Sequence, residues 1–265
     1  MGEPPPGGPD VRTESGILDL LASAPLEPLG RFTAASNATL LCRLGDTETL
    51  AVYKPRRGDT ETLAVYKPRR GEAPLWDFPD GTLHRREVAA YVLDRALGWD
   101  MVPPTVLRDD APFGTGSIQL HVEHDPGRHY FALLEDSAPA VLDQLRRMVV
   151  LDLVLNNADR KGGHVLFDGD GRVRLVDHGV CFHAEPKLRT VAWDFAGEPI
   201  ADDVRSAVAD LAARLARPDD PDRAALADLL VEEEVTATAA RAEAVAQLDR
   251  LPPPTGPRPY PWPPI

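Results

Sequence analysis

Two aspartates, Asp159 and Asp177, bracket a segment whose residue pattern folds back on itself. Asn156, Asn157, Asp159, Arg160 and Lys161 are polar, and Gly162-Gly163 permits a sharp turn. Two strand-like runs follow, 164–167 and 172–176, with Asp168-Gly169-Asp170-Gly171 between them as a hairpin turn. A hairpin returns its ends to one place, so both carboxylates can point into one site. Phosphoryl transfer needs such an arrangement: one carboxylate orients the attacking hydroxyl and another holds Mg²⁺ on the nucleotide phosphates. Asp168 and Asp170 read as turn formers only.

The element that must deliver Asp159 is a helix over 142–155, where Leu142, Leu145, Met148, Val149, Leu151 and Leu155 recur at helical spacing. At the other end of the chain, residues 1–14 are rich in Pro and Gly and read as disordered. Ser15 is placed to cap a short helix through Ala22, and strand, turn and strand follow over 29–44, with Ser36-Asn37 at the turn. Residues 45–57 (GDTETLAVYKPRR) are then repeated without change as 58–70. Two short copies are too few for a solenoid, and their identity over the whole unit reads as either a recent tandem duplication or an artificially introduced repeat. Each copy is a turn and a strand closed by Lys-Pro, which gives Lys54 and Lys67 the same local sequence. A helix over 87–96 opens with Glu87 and stops at Gly98, and 116–124 alternates apolar and polar as a half-buried strand would. Trp193 and Phe195 read as core packing. Helical patterns fill 202–216 and 221–251, with Glu232-Glu233-Glu234 as a solvated face. The polyproline-like tail, 252–265, either folds Tyr260 and Trp262 back onto the C-terminal half or offers itself to a Pro-recognising protein partner.

Across these segments the chain resembles the phosphatidylinositol 3-/4-kinase-like superfamily, and the type II phosphatidylinositol 4-kinases most of all. The residues that carry the likeness are Asp159-Arg160, the strand ending in Asp177-His178-Gly179, and upstream VYKP … REVAAYVLDRALGWDMVPPT. More distantly it is similar to HipA-type bacterial kinases, and it looks like a member of a small actinobacterial branch of unassigned substrate. The resemblance implies an α+β, bilobal protein-kinase-like fold, with an antiparallel-sheet N-lobe over 15–122 and a mainly helical C-lobe over 123–251. It implies ATP as the phosphate donor. Ser36 and Asn37 would lie over the phosphates, and Lys67, or alternatively Lys54, would contact them. Lys67 is favoured because its copy keeps the original link to Glu87, the residue that pairs with the strand lysine. Gln119, Leu120, His121 and Val122 would form the hinge that holds adenine. Asp159 would orient the acceptor hydroxyl, Arg160 would support its loop, and Asp177 would bind Mg²⁺. Five residues after the catalytic Asp the superfamily carries a metal-binding Asn, and here that residue is His164. Imidazole suits Mn²⁺ better than Mg²⁺, so three readings stand: a site that prefers Mn²⁺, a single metal with His164 hydrogen-bonding phosphate, or weakened catalysis, and Asn156 or Asn157 could supply a substitute oxygen. The expected activity is an ATP-dependent kinase with an unidentified lipid, protein or small-molecule hydroxyl as acceptor. The alternatives are a nucleotide-binding interaction module without turnover and AMP transfer on the same fold.

Composition bounds the partners. The chain has 265 residues, 43% of them hydrophobic, enough to bury a sizeable core. Its net charge of −13 makes it a poor surface for nucleic acid or anionic lipid. No apolar run approaches the length of a membrane span, and no signal-peptide core is seen, so the expected compartment is the cytoplasm. Cys42 and Cys181 stand in strand-like contexts and read as reduced core residues.

Overall fold

A computed structural model of the chain describes residues 13–32, 37–45 and 62–265. The chain divides into two compact units, one formed by Met1–Val88 with Pro103–His121 and the other by Ala89–Val102 with Val122–Ile265.

The first unit is built on a five-stranded antiparallel sheet in the order β1-β2-β3-β5-β4. The strands are β1 (Leu26–Arg31), β2 (Leu40–Leu44), β3 (Leu63–Pro68), β4 (Thr105–Arg108) and β5 (Gly116–Leu120). Pro28 is tolerated because β1 is an edge strand, and the register shifts beside it, between Pro28 and Gly30. The second repeat copy supplies β3, which alternates strictly: Ala64, Tyr66 and Pro68 are buried, and Leu63, Val65 and Lys67 share the other face. Cys42, Leu44, Ala64, Tyr66 and Ile118 form the core under helix α1 (Glu14–Ser23). That helix is capped by Thr13, whose hydroxyl accepts the Gly16 N–H at 3.1 Å, and not by Ser15. Residues 116–119 of β5 are buried on both faces, and the Gln119 amide is satisfied there by donating to the Thr105 hydroxyl at 2.9 Å.

Helix α2 (Leu83–Leu97) begins four residues before the pattern that opens at Glu87. The Glu72 carboxylate explains the early start, accepting the N–H groups of Leu83 and His84 at 3.2 and 2.8 Å and the His84 ring at 2.5 Å. Burial works against a charged Glu72, but these bonds outweigh it and hold its carboxyl below the ordinary range.

The second unit is mainly helical: α3 (Tyr130–Asp136), α4 (Pro139–Leu155), α5 (Asp202–Leu215), α6 (Pro221–Ala227) and α7 (Glu232–Ala246), with the hairpin β6 (Val165–Phe167) and β7 (Val173–Leu175). The helical pattern over 221–251 breaks in two because Val231 adopts an extended backbone (φ −75°, ψ 153°) and starts α7 afresh. Glu232, Glu233 and Glu234 then occupy the first turn of α7, where acids complement the helix dipole, and Glu234 is buried. Trp193 and Phe195 are core residues, as are both cysteines, and burial pushes the Cys42 thiol up to about 11. The tail lies against this unit through Pro259, Pro261 and Pro264, while Tyr260 and Trp262 are exposed. Among the described residues no helix is long and apolar enough to cross a membrane.

Candidate functional site

In the first unit the strand lysine meets its acid. Lys67, at the end of β3, places Nζ 2.5 Å from Glu87 Oε1 in the second turn of α2, and the Glu87 side chain is 3% exposed. A carboxylate so desolvated needs a cationic partner, and the pair holds Lys67 charged and aimed. Because α2 starts at Leu83, Glu87 is not an N-terminal dipole partner, and Glu72 serves that end instead. Asn37 directs its side-chain carbonyl to the Ala73 N–H at 2.8 Å, which ties the end of the first hairpin to the segment after β3. Ser36 and Lys54 lie outside the described residues. Of the hinge candidates, Gln119 is buried against Thr105, and the N–H groups of Leu120 and His121 donate to the carbonyls of Pro104 and Leu63 at 2.8 and 3.0 Å. The Val122 carbonyl accepts from His124 Nδ1 at 2.8 Å. Leu120, His121 and Val122 thus have a backbone group bonded, and Gln119 is held by its side chain.

In the second unit α4 ends at Asn156, in left-handed backbone (φ 53°), and the chain turns directly into the Asp159 loop. Asn156 and Asn157 are loop builders. Asn156 donates to the carbonyls of His183 and Glu185 at 2.8 and 2.7 Å. Asn157 accepts the Asp159 N–H at 3.0 Å and donates to Asp152 at 2.9 Å. Neither is poised as a substitute metal ligand.

Arg160 is fully buried. Its guanidinium forks onto Asp152 at 2.9 and 3.0 Å, donates to the Val176 carbonyl at 2.9 Å and reaches His178 Nε2 at 2.8 Å. Burial would depress its pKa, but Asp152 outweighs that and raises it. At 0% exposure the side chain cannot touch a substrate, so it positions the loop and the strand leading to Asp177. Asp152 was the missed partner. The signal was present in Val-Val-Leu-Asp-Leu-Val-Leu: an acid inside an apolar helical run must be buried and paired.

Asp159 and Asp177 belong to one small region. Asp159 is half-buried, with Lys161 Nζ 3.3 Å from its carboxylate. Burial raises its pKa, Lys161 opposes that, and the nearby charge of Asp177 raises it further. Asp177 is 51% exposed, and its backbone is left-handed (φ 62°), a strained state for a residue with a Cβ. His164, on the 3₁₀ turn Gly162–His164, accepts the Lys161 N–H at Nδ1 (3.4 Å) and sets Nε2 3.2 Å from Asp177 Oδ2. A carboxylate oxygen and an imidazole nitrogen thus face one point. Among the described residues no group of three or more His, Cys, Asp or Glu is arranged to hold a metal unaided. One carboxylate, one imidazole and phosphate oxygens fit a divalent cation carried by a nucleotide.

These two units, a five-stranded antiparallel sheet and a mainly helical body with a β-hairpin, define an α+β protein of the bilobal protein-kinase-like class. A crystal structure of the Golgi casein kinase with Mn/ADP bound superposes with a TM-score of 0.53 and 16% identity, over 89% of this chain and 75% of that one. The chain belongs to the family of Protein Rv2133c of Mycobacterium tuberculosis, being 42% identical to it over 277 aligned positions that cover 92% of this chain and 94% of that protein. It is also similar to phosphatidylinositol 4-kinase gamma 4 of Oryza sativa subsp. japonica, 32% identical over 128 residues, 41% of this chain but 22% of that protein. No protein-family model matches the chain.

Proposed function

We propose that the protein is an ATP-dependent phosphotransferase of the phosphatidylinositol 3-/4-kinase-like superfamily, moving the γ-phosphate of ATP to a hydroxyl acceptor. The observation that carries this reading is the pair of carboxylates on one loop–hairpin unit: Asp159 half-buried with a raised pKa, and Asp177 half-exposed on a left-handed backbone. In this reading Asp159 orients the acceptor hydroxyl and takes its proton, a task its raised proton affinity suits. Lys67, held by Glu87, binds phosphate oxygens through a charge-assisted bond. Asp177 and His164 hold the divalent cation, Mg²⁺ or Mn²⁺, which neutralises charge on the phosphates when bound. The imidazole among the donors tilts the choice toward Mn²⁺. Arg160 and Asp152 keep the loop in shape. The kinase-like fold and the partial similarity to a phosphatidylinositol 4-kinase support the reading. The acceptor is a lipid, protein or small-molecule hydroxyl, and the acidic net charge argues against an anionic membrane surface as the place of encounter.

The test is incubation of the chain with a cell lysate and ATP labelled at the γ- or the α-phosphate. Transfer of the γ-label is the expected result, and the labelled product identifies the acceptor. Transfer of the α-label would mean AMP transfer instead. Nucleotide binding with no label transferred would mean an interaction module.

A further inference from the structure

The Pro-rich tail is tied to the loop that carries Asp159. The Pro259 carbonyl accepts the Thr190 N–H and the Trp193 indole N–H, both at 3.0 Å. The Pro264 carbonyl accepts the Gly162 N–H at 2.8 Å. Between these anchors Pro261 is buried, whereas Trp262 is 89% exposed. Residues 189–191 in turn lie along the Asp159 loop: the Arg160 N–H donates to the Arg189 carbonyl at 3.0 Å and the Val191 N–H to the Arg160 carbonyl at 3.1 Å. Backbone bonds therefore close a ring that runs from Arg160 through 189–191, along 259–264, and back to Gly162. Asp159 sits immediately before that ring. Glycine suits position 162 because a Cβ there would stand 2.8 Å from the Phe131 ring, closer than the backbone could keep while holding its bond to Pro264.

We propose that residues 259–264 are a positioning strap, with the Pro264 carbonyl fixing the exit of the Asp159 loop and the Pro259 carbonyl fixing the segment beside it. The composition suits the task. Four of the six residues in Pro-Tyr-Pro-Trp-Pro-Pro lack an N–H, so the segment presents acceptors with few competing donors, and its stiff backbone loses little entropy on docking. The loop needs such an anchor because Gly162-Gly163 would otherwise leave the backbone after Asp159 free to wander, and transfer chemistry is sensitive to displacements of about 1 Å. The catalytic consequence rests on the phosphotransfer reading. The strap's hold on the loop does not.

Two truncations separate the anchors, one chain ending at Pro261 and one at Arg258, each compared with the full chain by site-resolved amide exchange and by ATP turnover. In the chain ending at Pro261 the Gly162 amide should exchange about tenfold faster while Thr190 stays protected, and in the shorter chain both should speed up. Turnover should fall through kcat with KM for ATP unchanged, and a peptide of residues 255–265 added in trans should restore it. Gly162→Ala, whose Cβ crowds the Phe131 ring and so shifts the 162 backbone away from Pro264, should reproduce the chain ending at Pro261 and supplies the test should a shortened chain not fold. Unchanged exchange at Gly162 would overturn the strap, and faster exchange with unchanged kcat would overturn its positioning role. The expected exchange response in a chain whose full-length form turns over no ATP would overturn the phosphotransfer reading and leave the strap standing.

Discussion

Lys67 and Lys54 share identical neighbours in sequence; Lys67 lies in β3 and pairs with Glu87, and Lys54 lies outside the described residues. Substituting Lys67 by Met should lower ATP turnover by about 10²–10³-fold, the cost of removing one group that meets developing charge, whereas Lys54→Met should leave it unchanged. Steady-state rates of both variants decide the matter, and equal losses would place the two copies on the same footing. His164 makes a second case at this scale. Its Nδ1 accepts from Lys161 and its Nε2 is turned to Asp177, five residues after Asp159, the spacing at which the resemblance implied an Asn. His164→Asn replaces a nitrogen donor by an oxygen donor, so the ratio of Mg²⁺- to Mn²⁺-supported turnover should rise about tenfold or more. An unchanged ratio would remove His164 from the coordination shell.

At the scale of elements, one buried acid sets the turn out of α2. Asp94 is fully buried, and Oδ2 accepts the N–H groups of Met101 and Val102 at 2.9 and 3.0 Å. Oδ1 has no hydrogen-bond partner among the described residues, and burial raises the carboxyl to about 6 despite those two bonds. The folded pKa thus exceeds the unfolded one, so Asp94 supports the fold fully below about pH 4 and loses that support as pH rises through about 6. Urea midpoints at pH 4 and pH 7 should show wild-type stability falling relative to Asp94→Asn by up to about 3 kcal/mol across that range. Parallel pH profiles for the two proteins would contradict the assignment.

Element identities were legible where one local rule dominates. The hairpin turn at Asp168–Gly171 follows from residues that favour turns, and Asp168 Oδ1 does accept the Asp170 and Arg172 N–H groups at 3.0 and 2.9 Å. Boundaries were hidden where a distant residue decides. The start of α2 depends on Glu72, eleven positions before Leu83, and no periodicity within the helix announces it. Arg160 could be read as a loop support and Asp152 as an acid that must be buried and paired, but nothing in the apolar run says that its partner stands eight positions on. The strap is a backbone-carbonyl device, and side-chain patterns say nothing about which carbonyls will find donors.

For the whole molecule, the fold class followed from segments that agree with one another over long separations. The duplication was the one feature without a place in that plan. Since the second copy supplies β3 and its downstream connection, deleting residues 46–58 should leave a cooperatively melting protein with its midpoint within about 5 °C of wild type and its nucleotide turnover retained. Loss of cooperative melting would show that the first copy belongs to the core.

The central claim is that Lys67 and Asp177 serve a single transfer reaction, and a double-mutant comparison tests it most directly. Release of the γ-phosphate from ATP is measured for wild type, Lys67→Met, Asp177→Asn and the combined variant. If both residues serve one transfer, each single change lowers kcat by about 10²–10³-fold and the combined change costs little more than the worse of the two. Losses that multiply, or a single variant that keeps the wild-type rate, would contradict it.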